Sequence, residues 1–220
     1  MLTDHVLHLD SEALILDKPA GLPVDAPRDG SLSVENHLQS LMFGYRSWPR
    51  SVHRLDRDTS GCLMLGRSDK AHKRLALAFE QGLVRKRYLA VITGIPEGES
   101  GEITMALGKT STKEEGWRIV PDAAGKAATT QWELMATHGM LALLALTPLT
   151  GRTHQLRVHM ASGLGHPIVG DSVYGSADDA GLMLHAADLT LERAGKTLIS
   201  AHAPFPARFT ALGFTDPDAD

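Results

Sequence analysis

The sequence predicts an α+β fold in which a mostly antiparallel, mixed sheet is flanked by a few helices. Short apolar or alternating segments, bounded by turn residues, recur along the chain as strands do. Helical periodicity is confined to a few separated stretches. No internal repeat and no low-complexity linker divides the sequence. Strand-rich segments with a few separated helices are typical of this fold class.

The predicted strands are apolar runs that end at turn residues. Ala13–Val24 reads as a buried strand that runs into a Lys-Pro-Ala-Gly turn. Further strands are expected at Cys62–Leu65, Tyr88–Thr93 and Leu141–Thr147. The stretch Gly98–Ala124, rich in Gly, Glu, Lys and Ser/Thr, predicts hairpins and loops, and Leu182–Ala203 predicts strands around the turn Arg193–Lys196.

Three helices are predicted from the spacing of apolar residues and from capping signals. Ser33–Phe43 is expected to begin at Ser33 as its N-cap. Asp69–Gln81 has its apolar residues at i, i+4, i+7 and i+8, with Ser68 or Asp69 as the cap and Gly82 as the end. Thr153–Ser162 is expected to end at Gly163 or Gly165, with His154 and Arg157 on one face.

Length and composition bound the possible organisation. With 220 residues, 43% hydrophobic and 22% charged, the chain can bury a full core, and we predict a single domain over residues 1–220 with a frayed tail at 215–220. No apolar run approaches the roughly 20 residues of a membrane span, and the N-terminus lacks the pattern of a signal peptide. The single cysteine, Cys62, fits a reducing cytoplasm.

The net charge is −4, yet the basic residues are concentrated in one stretch. Eleven Lys and Arg residues and four acids lie between Gly44 and Ala90, which gives this stretch +7 and the remainder −11. Nucleic acids bind such positive surfaces. A solvated protein face would leave the same pattern, so charge alone does not decide between the two.

Several familiar functional motifs are excluded by spacing. Gly108-Lys109-Thr110 resembles the end of a phosphate-binding loop, but Ile103 stands where the first glycine is required. Ser60 lacks the preceding glycine of a nucleophile elbow. His154 and His159 are five residues apart, which is unsuited to a shared metal on a helix, so no metal site is predicted.

Three short segments carry more charged and polar side chains than local structure requires. They are HRLDRDTSG (53–61), KRYLAV (86–91) and GRTHQLRVHM (151–160). Each has an ordinary explanation as well: an Asp-rich turn, an edge strand with a packing tyrosine, and a helix with a solvated side. The residue types alone leave these explanations open.

Together, these segments resemble the aspartate, tyrosine and C-terminal motifs of the RluA-type pseudouridine synthases. The third motif continues to GRTHQLRVHMASGLGHPIVGDSVYG, and LDKPAGLPV (16–24) resembles the opening motif of that family. The likeness runs from about Ala13 to Phe205. It implies the pseudouridine-synthase catalytic fold and an isomerase that converts uridine in RNA to pseudouridine. There is no room before LDKPAG for an S4 RNA-binding domain, so the chain resembles the short members that act on 23S ribosomal RNA, transfer RNA or both.

The resemblance also implies roles for individual residues. Asp56 matches the catalytic aspartate, Tyr88 the active-site tyrosine, and Arg157 the arginine that pairs with the aspartate. Arg54 matches the side chain that wedges into the RNA stack. We expect further RNA contacts from the residues His53, Arg152, Lys73 and Arg74.

The chemistry explains these residue types. Isomerisation breaks the N-glycosidic bond, turns the uracil and rejoins it through carbon without redox change, so no cofactor is expected. The Asp56 carboxylate can act as nucleophile or electrostatic stabiliser, and Arg157 can keep it ionised. Tyr88 is the candidate to accept or relay the proton that leaves carbon. A base inside RNA structure must be flipped out, and Arg54 can stack on the bases it leaves.

Two alternatives remain at this stage. The chain could be an RNA-binding protein that keeps the fold without catalysis, or a hydrolase that uses Asp56 with a histidine-bound metal. We expect a cytoplasmic monomer that binds a structured RNA stem-loop and no membrane. The sequence does not name the modified uridine, the atom that Asp56 attacks, or the role of Lys109–Gly125.

Overall fold

The computed structural model describes residues 1–113 and 116–219, which form two compact units. Met1–Lys86 and His185–Pro204 form the first unit, and Arg87–Leu184 with 205–219 forms the second. Neither unit is continuous in the sequence, because the chain passes between them three times. The single-domain organisation stays a prediction.

Strands dominate the structure, as the sequence predicts. They are β1 (Val6–Leu9), β2 (Ala13–Lys18), β3 (Arg50–Ser51), β4 (Ser60–Gly66), β5 (Val84–Thr93), β6 (Ser100–Thr112), β7 (Gly116–Pro121), β8 (Lys126–His138), β9 (Leu141–Pro148), β10 (Leu184–Leu191) and β11 (Ile199–His202). The helical elements are short apart from the first: α1 (Asp69–Glu80), α2 (Gln155–Val158) and α3 (Ala207–Thr210), with 3₁₀ turns at Leu2–His5 and Val34–His37 and a π-helical turn at His159–Gly163.

In the first unit the strand order is β1-β2-β4-β10, with β3 beside β4 and β11 beside β10. The pairing of β4 with β10 is parallel, and the other pairs within this unit are antiparallel. Every residue of β4 is buried, which explains its continuous apolar composition. The second unit contains the antiparallel order β5-β9-β8-β6-β7. The predicted α+β class with a mixed, mostly antiparallel sheet is confirmed.

Helix α1 follows its prediction within one residue. Ser68 is the N-cap, and its hydroxyl oxygen accepts a hydrogen bond from the Ala71 amide at 3.2 Å. Ala71, Leu75 and Ala78 are buried, so the apolar side of the helix packs into the first unit and its cationic side is left outside. No described helix is long and apolar enough to cross a bilayer.

The helix predicted at Ser33–Phe43 is wrong in length. Ser33 does precede a helical turn, but the regular 3₁₀ segment covers only Val34–His37. The Asn36 side chain accepts a hydrogen bond from the Ser33 amide at 2.8 Å, which favours a tight turn at this end. At the other end Phe43 has a φ of 45°, a left-handed conformation that ends any helix.

Side chains of the predicted frayed tail form hydrogen bonds among the described residues 215–219. Asp216 Oδ1 accepts a hydrogen bond from the Asp218 amide at 3.0 Å. Asp218 Oδ2 accepts a hydrogen bond from Arg87 Nη1 at 2.5 Å. Asp220 lies outside the described residues, so the tail prediction is tested only in part of its range.

Candidate active site

Asp56 lies in the loop between β3 and β4, in the first unit. Its side chain is half-buried and follows Leu55, which is buried and anchors the loop. The Asp56 carbonyl oxygen accepts a hydrogen bond from the Thr59 amide at 3.2 Å, which closes a turn over Arg57 and Asp58. The Asp-rich turn that composition suggests is therefore present, and the carboxylate stands at its first position.

The side chain of Lys18 holds this loop through hydrogen bonds, which together are called the Lys18 clamp. It is fully buried, and its ammonium group donates to the carbonyl oxygens of Pro19 at 2.9 Å, Leu22 at 2.8 Å and Arg57 at 3.0 Å. A buried lysine is stable only when its charge is satisfied in this way. The next residue after Asp56 is thus fixed by a side chain 39 positions away.

The clamp is reciprocal. Arg57 Nε donates to the carbonyl oxygen of Gly21, at 3.2 Å, in the Lys-Pro-Ala-Gly turn. The turn and the Asp56 loop therefore hold each other. Lys18 lies in the opening motif, but its residue type alone does not indicate this role. The available signal is a lysine that follows Asp17 at the end of the apolar run of β2.

The aspartate motif ends at Gly61, and the structure shows why a glycine is required there. Its φ is +103°, and a Cβ there would lie 2.2 Å from the backbone carbonyl oxygen of Ala186. β4 and β10 pair at this point, Ala186 opposite Gly61. Only glycine allows both the conformation and this close approach, so the strand that follows Asp56 starts at a fixed place.

His53 makes packing contacts in the first unit. Its Nε2 accepts a hydrogen bond from the Met64 amide at 2.9 Å, and its ring stacks on Phe79 with 4.3 Å between centroids. Burial, reinforced by the nearby charge of Lys86, lowers the pKa of His53 to about 3. The imidazole is therefore neutral near pH 7. Its role in RNA binding stays a prediction, and it would have to act without a positive charge.

Arg54 lies on the surface, next to His53. Its side chain is 71% exposed, and its Nη1 lies 3.5 Å from Asp25 Oδ2 in an open ion pair. Exposed pairs of this kind contribute little stability and exchange readily with water. Arg54 is therefore able to reach a partner outside the fold.

The basic stretch is less available to a polyanion than its charge suggests. Arg67 is buried and donates to the carbonyl oxygens of Asp10, Met42 and Phe43. These contacts satisfy its charge within the fold. Arg67 therefore supports the structure of the first unit, so fewer than the eleven Lys and Arg residues of this stretch are available to a polyanion.

Arg74 is also engaged, whereas Lys73 is not. Arg74 pairs with Glu12, which also binds Lys196 Nζ at 2.7 Å. Burial alone would raise the pKa of Glu12, but hydrogen bonds from Arg74 and Lys196 outweigh it and lower the pKa to about 2. Lys73 is exposed on α1, and within residues 1–113 and 116–219 no carboxylate pairs with it.

The other predicted catalytic residues lie in the second unit. Tyr88 is on β5, where its partner in the ladder is Leu146 of β9, and its side chain is half-buried. The residues that follow it, Leu89 and Ala90, are fully buried. The tyrosine motif is thus a strand whose first part borders solvent and whose second part is core.

Arg157 on α2 is 8% exposed and binds Asp171 through two parallel hydrogen bonds. Nε donates to Oδ2 and Nη2 donates to Oδ1, each at 2.7 Å. Asp171 Oδ1 also accepts from the amides of Val173 and Tyr174. Burial would raise the pKa of Asp171, but the hydrogen bonds and charge of Arg157 lower it below its usual value. Asp171 lies inside the C-terminal motif, and sequence reasoning missed its role.

The predicted helix Thr153–Ser162 starts later than expected. His154 has a φ of 52° and stands outside α2, so the expected shared face of His154 and Arg157 is wrong. The cause is Gln155, whose Oε1 accepts hydrogen bonds from the Thr150 hydroxyl at 2.7 Å and the Arg152 amide at 3.0 Å. These bonds hold the chain in a loop up to the first helical residue.

Arg152 and the two histidines of this segment have protein partners. Arg152 is exposed, and its Nε donates to the Ala127 carbonyl at 3.1 Å. His154 Nδ1 lies 2.8 Å from the Tyr174 hydroxyl, and His159 Nδ1 lies 2.9 Å from the hydroxyl of Thr130. Each histidine thus contacts a hydroxyl of its own, as expected for histidines that support the fold.

Comparison with known proteins identifies the relatives of this chain. Residues 12–162 match the family model described as RNA pseudouridylate synthase. An uncharacterised RNA pseudouridine synthase of Zymomonas mobilis is 55% identical over 217 residues, 97% of this chain and 99% of that protein. Ribosomal large subunit pseudouridine synthase D of the same organism is 34% identical over 203 residues, 89% of this chain and 62% of the relative. The solved structure of human RNA pseudouridylate synthase domain containing 1 has a TM-score of 0.76 at 26% identity, over 98% of this chain and 96% of that one.

Proposed function

This chain belongs to the RNA pseudouridylate synthase family, and we propose that it isomerises specific uridines in 23S ribosomal RNA, transfer RNA or both, with Asp56 as the catalytic carboxylate. The general activity, conversion of uridine to pseudouridine, follows from the family. The ribosomal target is supported by the relative named for the large ribosomal subunit. The matched residues 12–162 include Asp56, Tyr88 and Arg157.

The observation that carries the proposal is the clamp of Lys18 on the Asp56 loop. A carboxylate that acts on one glycosidic bond must be held in place before the substrate arrives, because reorganisation during the reaction raises the barrier. Three hydrogen bonds from one buried ammonium group provide that rigidity. An Asp-rich surface turn without catalytic function would not require a buried charge beneath it.

Arg157 and Tyr88 complete the proposed chemistry. Because Nε and Nη2 of Arg157 are fixed by Asp171, the plane of its guanidinium is fixed too. We infer that this oriented cation keeps the Asp56 carboxylate ionised during the reaction. Tyr88 accepts or relays the proton that leaves carbon.

Recognition of RNA is assigned to the exposed cations. Arg54 replaces the flipped uridine by stacking on the bases beside it, which offsets the few kcal/mol that unstacking costs. Lys73 contacts phosphate, and Arg152 and Arg74 contribute where their protein partners release them. His53 supports Arg54 through packing. The reaction uses no cofactor, since its atoms are all supplied by the substrate.

The proposal is tested by mapping pseudouridines across all RNAs of a strain that lacks this gene. We expect one or a few uridines of ribosomal or transfer RNA to lose the modification. The wild-type gene should restore them, and a gene carrying Asp56→Asn should not. An unchanged pseudouridine map would contradict the proposal, and rescue by Asp56→Asn would contradict the role of the carboxylate.

A further inference from the structure

The hairpin of β6 and β7 exposes a large aromatic ring. Trp117 is opposite Ser111 in the ladder and is 43% exposed, on the last strand of the second unit's order. An exposed tryptophan on an edge strand loses hydrophobic stabilisation and invites unwanted contacts. No residue of this hairpin belongs to the predicted catalytic set, so the ring needs another explanation.

The Trp117 ring is held in a fixed position. His154 meets it edge-on, with 5.3 Å between centroids and 79° between planes. The Tyr174 hydroxyl accepts a hydrogen bond from the Ile119 amide at 3.0 Å, and its oxygen lies 2.8 Å from His154 Nδ1, within hydrogen-bond distance. The contacts therefore run from Trp117 to His154 to Tyr174 and back to the strand of Trp117.

The residue that contacts the ring has an unusual backbone conformation, and the residues behind it are buried. His154 keeps a left-handed φ of 52°, a conformation that non-glycine residues rarely adopt. Behind it, Ile119 and Leu107 of the hairpin pack with Val158 of α2 in one buried cluster. The hairpin is thereby attached to the helix that carries Arg157, whose guanidinium carbon lies 5.2 Å from the Tyr174 ring centroid.

Two cations lie near the Trp117 ring. Lys109 Nζ lies 5.8 Å from the Trp117 ring centroid, and Arg152 is exposed two residues before His154. Within the described part of the chain, neither forms an ion pair with a carboxylate. Glu114 and Glu115 precede Trp117 in the sequence and lie outside the described residues.

From these observations we propose that Trp117 is a stacking platform for an unpaired base of the RNA substrate, with Lys109 beside it for the adjoining phosphate. A rigid, exposed aromatic ring with neighbouring cations is the arrangement by which proteins bind single-stranded nucleic acid. This proposal deepens the proposed function and rests on it. It makes the hairpin a determinant of which stem-loops are modified, since only RNAs with an unpaired base in reach gain the contact.

Intrinsic fluorescence provides a direct test. The chain has three tryptophans, of which Trp132 is buried and Trp48 is 56% exposed, so the full-length Trp48→Phe variant reports on Trp117. We expect a short single-stranded RNA to quench this signal. The same RNA with an abasic position at the contact should quench it less. Because Lys109 contacts the adjoining phosphate, the Kd measured by quenching should rise with salt, with a slope of about 0.7 from that contact, while the quenching at saturating RNA should not change.

Substitution gives the energetic test. Stacking on one aromatic is worth roughly 1–3 kcal/mol, so Trp117→Ala should raise the Kd of a substrate stem-loop by about 5- to 150-fold. Trp117→Phe keeps a stacking face and should recover most of the affinity. For turnover, KM should rise in the Ala variant while kcat at saturating RNA stays close to wild type.

The outcomes separate this proposal from the proposed function. If the wild type forms pseudouridine and folded Trp117→Ala binds RNA as tightly as wild type, the platform is refuted. If the Ala variant does not fold, unquenched fluorescence of Trp48→Phe in saturating RNA refutes it instead. Concentration-dependent dimers lost in Trp117→Phe, with unchanged RNA affinity, would assign the ring to a second copy. Absence of pseudouridine with any RNA, despite base-dependent quenching, would overturn the proposed function and leave the platform standing.

Discussion

The Asp56 loop and the β6–β7 hairpin differ in how their polar groups are used. In the loop, a buried lysine and a glycine in contact with backbone fix the chain around one carboxylate. In the hairpin, the ordered network holds a ring whose surface remains open to solvent. Chemistry that must occur at one bond requires a segment tied to its own core. Selection among RNAs requires a surface that stays accessible, and such a surface can change without disturbing the chemistry.

Removing the charge of Asp56 is the most severe test of this contrast. Asp56→Asn preserves shape and should reduce single-turnover pseudouridine formation by more than about 10³-fold, on the order of 4 kcal/mol of barrier. RNA affinity should remain near wild type, because the hairpin and the exposed cations are untouched. Turnover within tenfold of wild type would show that the fixed loop holds something other than the catalytic group.

Lys18 tests whether the loop depends on its clamp. Lys18→Met leaves three carbonyl oxygens without their donor, and we expect the free energy of unfolding to fall by about 3 kcal/mol or more in urea titrations. The same substitution at Lys113, exposed near the tip of the hairpin, should change it by less than about 0.5 kcal/mol. If both substitutions lowered the free energy of unfolding equally, the Asp56 loop would depend on its lysine no more than the hairpin does.

Tyr88→Phe asks whether the contrast extends to a second catalytic group. Loss of a proton acceptor or relay should lower the single-turnover rate at least about a hundredfold, with normal folding and near-native RNA affinity. Tyr45→Phe is the matched control, because it removes a hydroxyl that donates to the Ser11 carbonyl at 2.6 Å. We expect the control to cost about 1 kcal/mol of stability and no rate. A single-turnover rate near that of wild type in Tyr88→Phe would mean that Tyr88 serves in packing or base stacking and not in proton transfer.

The smallest expected effect separates two adjacent cations on α1. Lys73→Ala should flatten the slope of log Kd against log salt by about 0.7–0.9, the contribution of one phosphate contact. Arg74→Ala should change it less, because Arg74 is already paired with Glu12. Slopes that change equally would mean that RNA displaces the protein's own ion pair.

The sequence predicted the elements best where local signals and burial agree. α1 has a cap, a clear apolar face and a terminating glycine, and it was confirmed within one residue. The segment after Ser33 has the same cap signal and buries Val34, Leu38 and Leu41, yet its regular helix ends at His37, ahead of the left-handed Phe43. A cap therefore predicts where a helix begins and not how far it runs.

Within the candidate site, residue types were more predictable than partners. Asp56, Tyr88 and Arg157 could be named from motifs, and their catalytic roles stay predictions. The hydrogen bonds from Lys18 to the Asp56 loop and the paired hydrogen bonds between Arg157 and Asp171 could not be predicted. Both depend on contacts between distant or irregular segments, and periodicity carries no information about such contacts. The same limit explains why Arg67 and Arg74 were counted as available cations although the fold engages both.

The division of each unit between distant parts of the chain has a consequence during synthesis. β4, which directly follows the Asp56 loop, pairs on one side with β10, whose residues lie more than a hundred positions later. A ribosome that has released only the first 86 residues has therefore released a strand with an unpaired, apolar edge. Such edges recruit chaperones or aggregate. The Asp56 loop reaches its final form only when the chain is nearly complete, so truncated products of this gene are expected to be inactive and short-lived.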